Sequence, residues 1–222
     1  MRILITGGAG FIGSHIAEIW QNKAEVIILD NLRTGRRENL ENLKVNFVEG
    51  DIRERGLVFE LTKGIDIIYH EAALVSVIES IQNPSLTEEI NIYGLRILLE
   101  AARHNGVKRV VFTSSAAVYG DNGQEIQREE YRPRPLSPYA ISKIVGEYYL
   151  EMYNALYGLS TVSLRNFNVY GPRQDPFSPY ASVIPIFICR ALQGKELIIY
   201  GDGEQTRDFI YVKDIAAANL MF

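Results

Sequence analysis

The sequence has one cysteine, Cys189, so no disulfide can form within the chain, and it has no Cys/His cluster that would ligate a metal. No apolar run approaches the roughly 18 residues that a membrane span needs. Positive charge is not in excess, because the net charge is −4 over 222 residues. We therefore expect no metal, membrane or nucleic-acid partner. Because the chain opens directly on an apolar strand, we also expect no signal peptide and a cytoplasmic location.

Glycine is concentrated near the N-terminus, in Ile3-Leu4-Ile5-Thr6-Gly7-Gly8-Ala9-Gly10-Phe11-Ile12-Gly13. An apolar strand ends there, the backbone turns on glycine, and a helix begins. Gly7 permits the tight turn, Gly10 lets a pyrophosphate approach the backbone, and Gly13 lets the helix pack on the strand. The helix N-terminus, opened by Phe11 and Ile12, offers free N–H groups to phosphates. The run therefore predicts a dinucleotide site.

Short apolar runs alternate with amphipathic stretches, which indicates an α/β fold with a doubly wound parallel sheet of the Rossmann type. We predict strands near Arg2–Thr6, Glu25–Leu29, Val45–Glu49, Asp66–Tyr69, Arg109–Thr113 and Thr161–Leu164. We predict helices near Phe11–Asn22, Pro84–His104 and Pro138–Tyr157, and a last helix from Ile215 to Met221 capped by Asp214. The proline- and glycine-rich segment from Tyr170 to Pro179 is too long for a simple connection, so it is functional or begins another lobe.

Asp30 closes the second strand, seventeen residues after Gly13. A carboxylate at this place accepts hydrogen bonds from an adenosine ribose and repels a 2′-phosphate, which favours NAD over NADP. The nearby Arg33, Arg36 and Arg37 leave NADP open. Further cofactor contacts are predicted in the segments after the second, third and fourth strands: Asn31, Thr34, Gly35, Asp51, Ile52, Ala72 and Ala73.

A candidate catalytic group begins where the fifth strand runs into Ser114 and Ser115. Ser137 and Pro138 then start a helix on which Tyr139 and Lys143, four residues apart, share one face. An ammonium beside a phenol lowers the pKa of the phenol, which would make Tyr139 a general base near neutral pH. Ser115 can hydrogen-bond the same substrate oxygen.

These motifs, together with Asp30 to Leu40, Ser114 to Gly120, Phe167 to Gln174 and Gly203 to Phe209, resemble the extended short-chain dehydrogenase/reductases, and within them the nucleotide-sugar 4-epimerases. The resemblance covers essentially the whole chain. It implies NAD-dependent epimerisation at C4 of a UDP-hexose, either UDP-glucose and UDP-galactose or their N-acetylated forms, through a transient 4-keto sugar.

The resemblance also implies residue roles. Tyr139 would take the proton of the 4′-hydroxyl while hydride moves from C4 to NAD⁺, Ser115 would polarise the C4 oxygen, and Lys143 would hold the ribose. Asn91 and Phe167 would lie near the cofactor. The substrate contacts would be Ser76, Asn168, Tyr200 and Arg207, besides Ser115 and Tyr139.

Residues 1–168 with 208–222 are predicted to form the NAD-binding domain, and residues 169–207 part of a substrate lobe that continues beyond Phe222 in the family. A homodimer is expected, since the helices near Pro84–His104 and Pro138–Tyr157 carry more apolar residues than one face holds. A 4,6-dehydratase would need Asp-Glu after Thr113, where this chain has Ser114 and Ser115, and decarboxylases usually carry Glu there. A non-catalytic NAD-binding module is the other alternative.

Overall fold

The predicted strands lie side by side in one parallel sheet in the computed structural model, which describes residues 1–123, 126–177 and 181–222. The strands are β1 (Arg2–Thr6), β2 (Glu25–Asp30), β3 (Asn46–Glu49), β4 (Ile67–His70), β5 (Arg109–Ser115) and β6 (Ser160–Asn166). Their order is β3-β2-β1-β4-β5-β6. The predicted fold class, a doubly wound parallel sheet, is confirmed.

The winding of the sheet reverses between β1 and β4. Leu4 of β1 pairs with Ile27 of β2 on one side and with Ile68 of β4 on the other. From β1 the chain first winds outward through β2 and β3, and then returns to add β4, β5 and β6 on the opposite side. Such a switch point opens a crevice at the carboxyl ends of the strands, where open α/β sheets bind ligands.

Helices connect the strands and cover both faces of the sheet. They are α1 (Phe11–Trp20), α2 (Arg55–Leu61), α3 (Val77–Gln82), α4 (Pro84–Glu88), α5 (Leu95–His104), α6 (Pro138–Tyr157), α7 (Val183–Leu192) and α8 (Val212–Leu220). Short 3₁₀ turns form at Arg37–Leu40 and Ala116–Tyr119. The side chains of Leu4, Ile68 and Leu98 are buried on one face of the sheet, and those of Ile5 and Val111 on the other.

Helix α6 has the bounds that the sequence predicts, because both of its ends carry strong signals. The Ser137 hydroxyl accepts a hydrogen bond from the Ala140 N–H at 3.1 Å, and Pro138 occupies the first turn. Gly158 ends the helix with a φ of 69°, a left-handed conformation that glycine adopts without strain. The helix thereby presents its first two turns, with Tyr139 and Lys143, to the sheet edge.

The single helix predicted from Pro84 to His104 is wrong in its middle. A π-helical segment, Glu89–Gly94, separates α4 from α5. The widened turn contains Asn91, whose side chain bonds to the Leu74 backbone and to the Ser142 hydroxyl. A π-turn inserts one residue into the helix, and such turns are frequent at functional sites.

Other boundaries also differ from the prediction. Helix α1 ends at Trp20 rather than Asn22, and α8 begins at Val212 with Tyr211 at its N-cap, so Asp214 lies in the first turn and does not cap the helix. The prediction omitted α2, α3 and α7. It also omitted β7 (Asn168–Tyr170) and β8 (Phe209–Tyr211), which pair in parallel as a separate two-stranded sheet.

Two features are absent from the described residues. No helix within them has the length and the apolar character to cross a membrane. The same residues contain no group of three or more His, Cys, Asp or Glu side chains placed to hold a metal ion.

Candidate active site

The glycine run forms a cradle that side chains would fill. Gly7 has a φ of 69°, and a Cβ there would lie 2.6 Å from the Ala72 nitrogen. A Cβ on Gly13 would lie 2.5 Å from the Gly7 carbonyl oxygen, and one on Gly10 would lie 3.0 Å from the same oxygen. The three glycines thus lie where the backbone approaches itself closely, with Ala72 packed directly against Gly7.

Helix α1 points its N-terminus into this cradle. Gly10 is its N-cap in an extended conformation, and no side chain caps the helix. The first-turn N–H groups, on Phe11, Ile12 and Gly13, therefore face the crevice together with the positive end of the helix dipole. An anionic diphosphate matches both the shape and the charge of this end.

Asp30 lies at the end of β2 and is nearly buried. Its Oδ2 accepts from the Ala9 N–H at 3.0 Å and its Oδ1 from the Leu32 N–H at 2.8 Å. Burial raises the pKa of this carboxyl, while the two backbone bonds oppose that change. A carboxylate held in this way keeps further lone pairs for the hydroxyls of a ribose. Gly35 lies against it, since a Cβ there would be 2.7 Å from Oδ1.

The arginines that left NADP open are all paired with carboxylates. Arg33 bonds Glu79, Arg36 bonds Asp175 at 2.6 Å, and Arg37 bonds Glu49 at 2.6 Å. Because each guanidinium already has a carboxylate partner, this loop presents no uncompensated cation to a 2′-phosphate. Its arrangement favours NAD.

The other residues predicted near the adenosine end lie around the same loop. Asn31 donates to the Asp51 carboxylate at 2.8 Å, and Arg53 holds the pKa of Asp51 at about 2. Ile52 is buried beneath Gly94, whereas Thr34 is exposed on the loop. These residues thus lie around one loop, in which Asp51 is paired with Arg53.

Ser115, Tyr139 and Lys143 meet at the carboxyl end of β5. The Ser115 hydroxyl hydrogen-bonds Tyr139 and accepts from the Ala117 N–H at 3.1 Å. The Lys143 ammonium is buried, donates to the Thr113 carbonyl at 2.6 Å, and lies 5.8 Å from the centre of the Tyr139 ring. The predicted catalytic group is therefore assembled in space.

The pKa of Tyr139 does not follow the expected direction. Burial raises it, and the Ser115 hydrogen bond, rather than Lys143, opposes the rise. Burial also lowers the pKa of Lys143 to about 8. The expectation of a phenol already acidified by its neighbour took account of charge and omitted desolvation, which is the larger effect in this site.

Glu71, to which the sequence analysis assigns no role, lies near the predicted catalytic residue Lys143. Thr113 donates its hydroxyl to Glu71 Oε1 at 2.6 Å, and the same Thr113 accepts the lysine bond through its carbonyl. Glu71 directly follows the apolar strand β4. A charged residue at this place, at the sheet edge that faces a ligand crevice, is a signal of a functional site that could have identified Glu71 from the sequence.

Asn91 and Ser76 have structural partners in this site. The Asn91 side chain accepts from the Leu74 N–H at 2.7 Å and donates to the Leu74 carbonyl at 3.0 Å, so it fixes the segment that follows Ala72 and Ala73. The Ser76 hydroxyl caps α3 by accepting from the Glu79 N–H at 3.0 Å.

A buried ion pair between Arg165 and Glu147 lies next to Ser115 and is hydrogen-bonded to its neighbour Ser114. Arg165 bonds Glu147 at 2.7 Å, and the Ser114 hydroxyl donates to the same carboxylate. The Arg165 guanidinium also lies 4.9 Å from the centre of the Tyr119 ring, which stacks on Phe167 at 6.4 Å. Phe167, predicted near the nicotinamide, is thus held at the end of β6 by an aromatic and cationic stack.

Residues predicted for the nucleotide-sugar end are exposed. Asn168 donates its side-chain amide to the Asp208 carbonyl at 2.9 Å, and Arg207 donates to the Thr206 carbonyl at 2.7 Å. Tyr200 is 80% exposed. Within the described ranges none of the three hydrogen-bonds Ser115, Tyr139 or Lys143.

The segment predicted from Tyr170 to Pro179 attaches to the cofactor half. The His15 ring hydrogen-bonds the Pro172 carbonyl at 3.0 Å, and Arg173 bonds Glu18 at 2.7 Å. Ser178 and Pro179 lie outside the described residues.

An uncapped helix and a glycine cradle at a sheet switch point, beside a Ser–Tyr–Lys group, define a dinucleotide-dependent enzyme that acts on a hydroxyl or carbonyl carbon. Comparison with known proteins agrees. The model of the NAD dependent epimerase/dehydratase family matches residues 3–222. The chain belongs to this family.

Three individual relatives are similar to this chain over nearly its whole length. A UDP-glucose 4-epimerase of Mycolicibacterium smegmatis is 41% identical, over 98% of this chain and 72% of its own length. The UDP-N-acetylglucosamine 4-epimerase of Methanobrevibacter ruminantium, solved with UDP-N-acetylmuramic acid, is 44% identical with a TM-score of 0.96, over 99% of this chain and 72% of that one. The UDP-glucose 4-epimerase of Thermus thermophilus, solved with NAD, is 44% identical with a TM-score of 0.91, over 100% of this chain and 74% of that one.

Proposed function

We propose that this protein is an isomerase that inverts the configuration at C4 of a UDP-hexose, with NAD as its cofactor. The observation that carries the proposal is the meeting of Ser115, Tyr139 and Lys143 at the sheet edge beside the glycine cradle. The substrate class comes from the relatives, two of which are UDP-glucose 4-epimerases and one a UDP-N-acetylglucosamine 4-epimerase.

The residues present fit NAD. The glycine cradle and the uncapped α1 would hold the diphosphate, and Asp30 would accept the ribose hydroxyls. Asn31, Thr34, Gly35, Asp51 and Ile52 would enclose the adenosine; Ala72, Ala73, Asn91 and Phe167 would enclose the nicotinamide end. When bound, NAD supplies a reversible two-electron oxidant for the sugar carbon.

Tyr139 is the proposed acid and base. Its phenolic oxygen would take the proton of the sugar 4′-hydroxyl and return it once the opposite face of the sugar carbon is presented. Ser115 hydrogen-bonds Tyr139, which places its hydroxyl where it can hold the C4 oxygen as well. Lys143 would bind the ribose and supply positive charge to the phenolate.

Substrate recognition is assigned to three exposed residues, Asn168, Tyr200 and Arg207, and to the buried Ser76. Arg207 and Asn168 are proposed for the UDP phosphates, Tyr200 for the uracil and Ser76 for the sugar. Support comes from exposure: Tyr200 and Arg207 are open to solvent, and the β7–β8 pairing brings Asn168 next to the strand that follows Arg207.

We also propose that two parts of the chain have different binding functions. Residues 1–168 with 208–222 would bind NAD, and residues 169–207 would contribute to a substrate lobe. Support comes from α8, which packs on α1 with Ala216 buried beside the sheet, whereas α7 buries none of its residues.

A homodimer, placed in the cytoplasm, is the proposed assembly. The exposed side of α6 carries Ile141, Tyr148, Met152 and Leu156, and Tyr93 lies exposed on the π segment. A second copy would bury these side chains in an isologous interface. Light scattering at micromolar concentration should give twice the chain mass, and Leu156→Asp should give the chain mass; a wild-type monomer contradicts the assembly.

The functional test is incubation with UDP-galactose, and separately with UDP-N-acetylgalactosamine, in the presence of NAD⁺. Chromatography with mass spectrometry should find a product of unchanged mass and different retention. Loss of water would instead indicate a dehydratase. Absence of turnover with NAD bound would leave the protein as a binding module.

The role of Tyr139 has its own control. Tyr139→Phe retains the ring and removes the hydroxyl, so NAD binding should stay within about twofold and epimerisation should fall by at least about 10²-fold, the contribution typical of a general base. Full activity in this variant contradicts the assignment.

A further inference from the structure

We propose that Glu71 is a positioning residue. Its carboxylate, held by the Thr113 hydroxyl, keeps Lys143 protonated and oriented towards the carboxyl end of β5, where Ser115 and Tyr139 lie. The inference rests on the proposed function only for its effect on turnover, because the state of Lys143 can be measured without substrate.

Glu71 and Lys143 are connected through one residue, Thr113. Thr113 donates its hydroxyl to Glu71 Oε1 at 2.6 Å and accepts the Lys143 ammonium through its carbonyl oxygen, also at 2.6 Å. The Glu71 backbone is itself fixed, since its N–H donates to the Thr6 carbonyl at 3.0 Å. Two strands, β4 and β5, therefore hold the carboxylate and the ammonium in a defined relation.

Lys143 needs such a partner because its surroundings disfavour its charge. The ammonium is buried against the ring of Phe112, 4.8 Å from the ring centre, and burial lowers its pKa to about 8 even with Glu71 raising it. Without the negative charge of Glu71 its pKa would fall towards neutrality. A neutral amine would then support the Tyr139 phenolate poorly.

The other groups facing Lys143 do not supply this charge. His70, at the end of β4, is buried with its pKa lowered to about 3, so it is neutral at ordinary pH. Tyr139 lies on the same helix, and burial raises its pKa, so its phenol is neutral in this structure. Burial raises the pKa of Glu71 above its ordinary value, and the Thr113 hydroxyl and Lys143 oppose that rise only in part. Among these groups, ionised Glu71 is the one whose charge would favour the Lys143 ammonium.

The test is a pH titration of Lys143 by ¹³C NMR of protein labelled at lysine Cε. Lys143→Arg removes the Lys143 signal and leaves those of the other lysines, which are exposed, so the missing signal is assigned to Lys143. Glu71→Gln should lower the midpoint of Lys143 by about one pH unit, the effect of losing a nearby opposite charge. Glu71→Asp, which keeps the charge, should leave it within a few tenths of a unit.

Two further variants guard the interpretation. Glu60→Gln removes a carboxylate from an exposed pair with Lys63 and should not move the signal. Thr113→Val keeps the carbonyl that Lys143 uses and removes the hydroxyl that holds Glu71, so it should lower the midpoint in the same direction. If Glu71→Gln does not fold, Thr113→Val decides the matter. A midpoint that is unchanged or raised in the folded variant overturns the inference.

The pH dependence of turnover provides a second, separate test of the role of Glu71. If activity needs protonated Lys143 and ionised Tyr139, both limbs of the pH profile should move to lower pH in Glu71→Gln, because the carboxylate raises the pKa of each group. Glu71→Asp should restore the wild-type limbs. Wild-type protein without turnover contradicts the proposed function and leaves the NMR result to decide the role of Glu71.

Discussion

Replacing Arg165 by methionine should destabilise the protein far more than removing any surface cation. The substitution keeps much of the apolar stem and leaves Glu147 without its ionic partner. The Glu147 side chain is 6% exposed and that of Arg165 18%, so water cannot readily replace the guanidinium. A carboxylate left buried and unpaired carries most of its desolvation cost.

The magnitude follows from what remains around Glu147. Breaking a buried pair costs about 3–5 kcal/mol. The Ser114 hydroxyl still donates to the carboxylate, and Arg165 borders solvent, so we expect the lower end, about 3 kcal/mol of unfolding free energy. For a chain of this size that corresponds to a fall in Tm of roughly 6–12 °C.

Urea unfolding followed by circular dichroism measures this loss, with Lys63→Met as the matched control. Lys63 pairs with Glu60 where both side chains are more than 60% exposed. Removing such a surface pair changes the free energy of unfolding by about 0–1 kcal/mol. The comparison therefore separates burial of the pair from the mere loss of a positive charge.

A double-mutant cycle tests the cause. Glu147→Gln removes the unpaired charge, so Arg165→Met combined with Glu147→Gln should cost less than the sum of the single variants, with a coupling of about 2 kcal/mol. The reasoning is refuted if Arg165→Met costs no more than Lys63→Met, or if the two substitutions simply add.

Two further predictions concern the cofactor edge. Gly7→Ala should weaken NAD binding at least about tenfold in a calorimetric titration, because its Cβ would clash with Ala72; Gly158→Ala has the same φ of 69° with nothing within 4 Å, and should leave NAD affinity unchanged. His70 has a folded pKa of about 3 against 6.5 when unfolded, so the unfolded state alone takes up its proton between these values and stability falls as pH falls. The free energy of unfolding should decrease by about 2 kcal/mol from pH 6.5 to pH 5 through this group, and His70→Gln should flatten that slope; an equal slope in the variant contradicts the explanation.

The parts of the fold that the sequence predicted are those with strong local signals. The ends of α6 follow from Ser137, Pro138 and Gly158, each of which acts through its own backbone or side chain. Most of the strands follow from short apolar runs, which are typical of parallel strands covered on both faces. By contrast, the π segment around Asn91 depends on the Leu74 backbone, which lies seventeen residues away, and no local pattern encodes that contact.

In the candidate site, too, local patterns could be predicted from the sequence, whereas properties that depend on distant residues could not. Glycine spacing and the Tyr139–Lys143 interval are local patterns, so they could be read directly. The pKa of Tyr139 could not, because the dominant contribution is desolvation by groups from several elements. The pairing of Arg33 with Glu79 across the loop and α3 likewise depends on the fold, and it supports NAD as the cofactor, a question that the sequence left open.

Desolvation also explains why two carboxylates accompany the catalytic residues. In the proposed function, burial of Tyr139 and Lys143 would keep water from the reacting carbon, but it disfavours the charged form of both groups. Glu71 favours the Lys143 ammonium, although its charge also raises the pKa of Tyr139, while Glu147 is neutralised by Arg165 and bonded by Ser114. An unpaired Glu147 would leave a second uncompensated negative charge next to Ser115. The arrangement therefore places one carboxylate where it favours the ammonium and balances the other with a guanidinium, through contacts made by β5, β6 and α6.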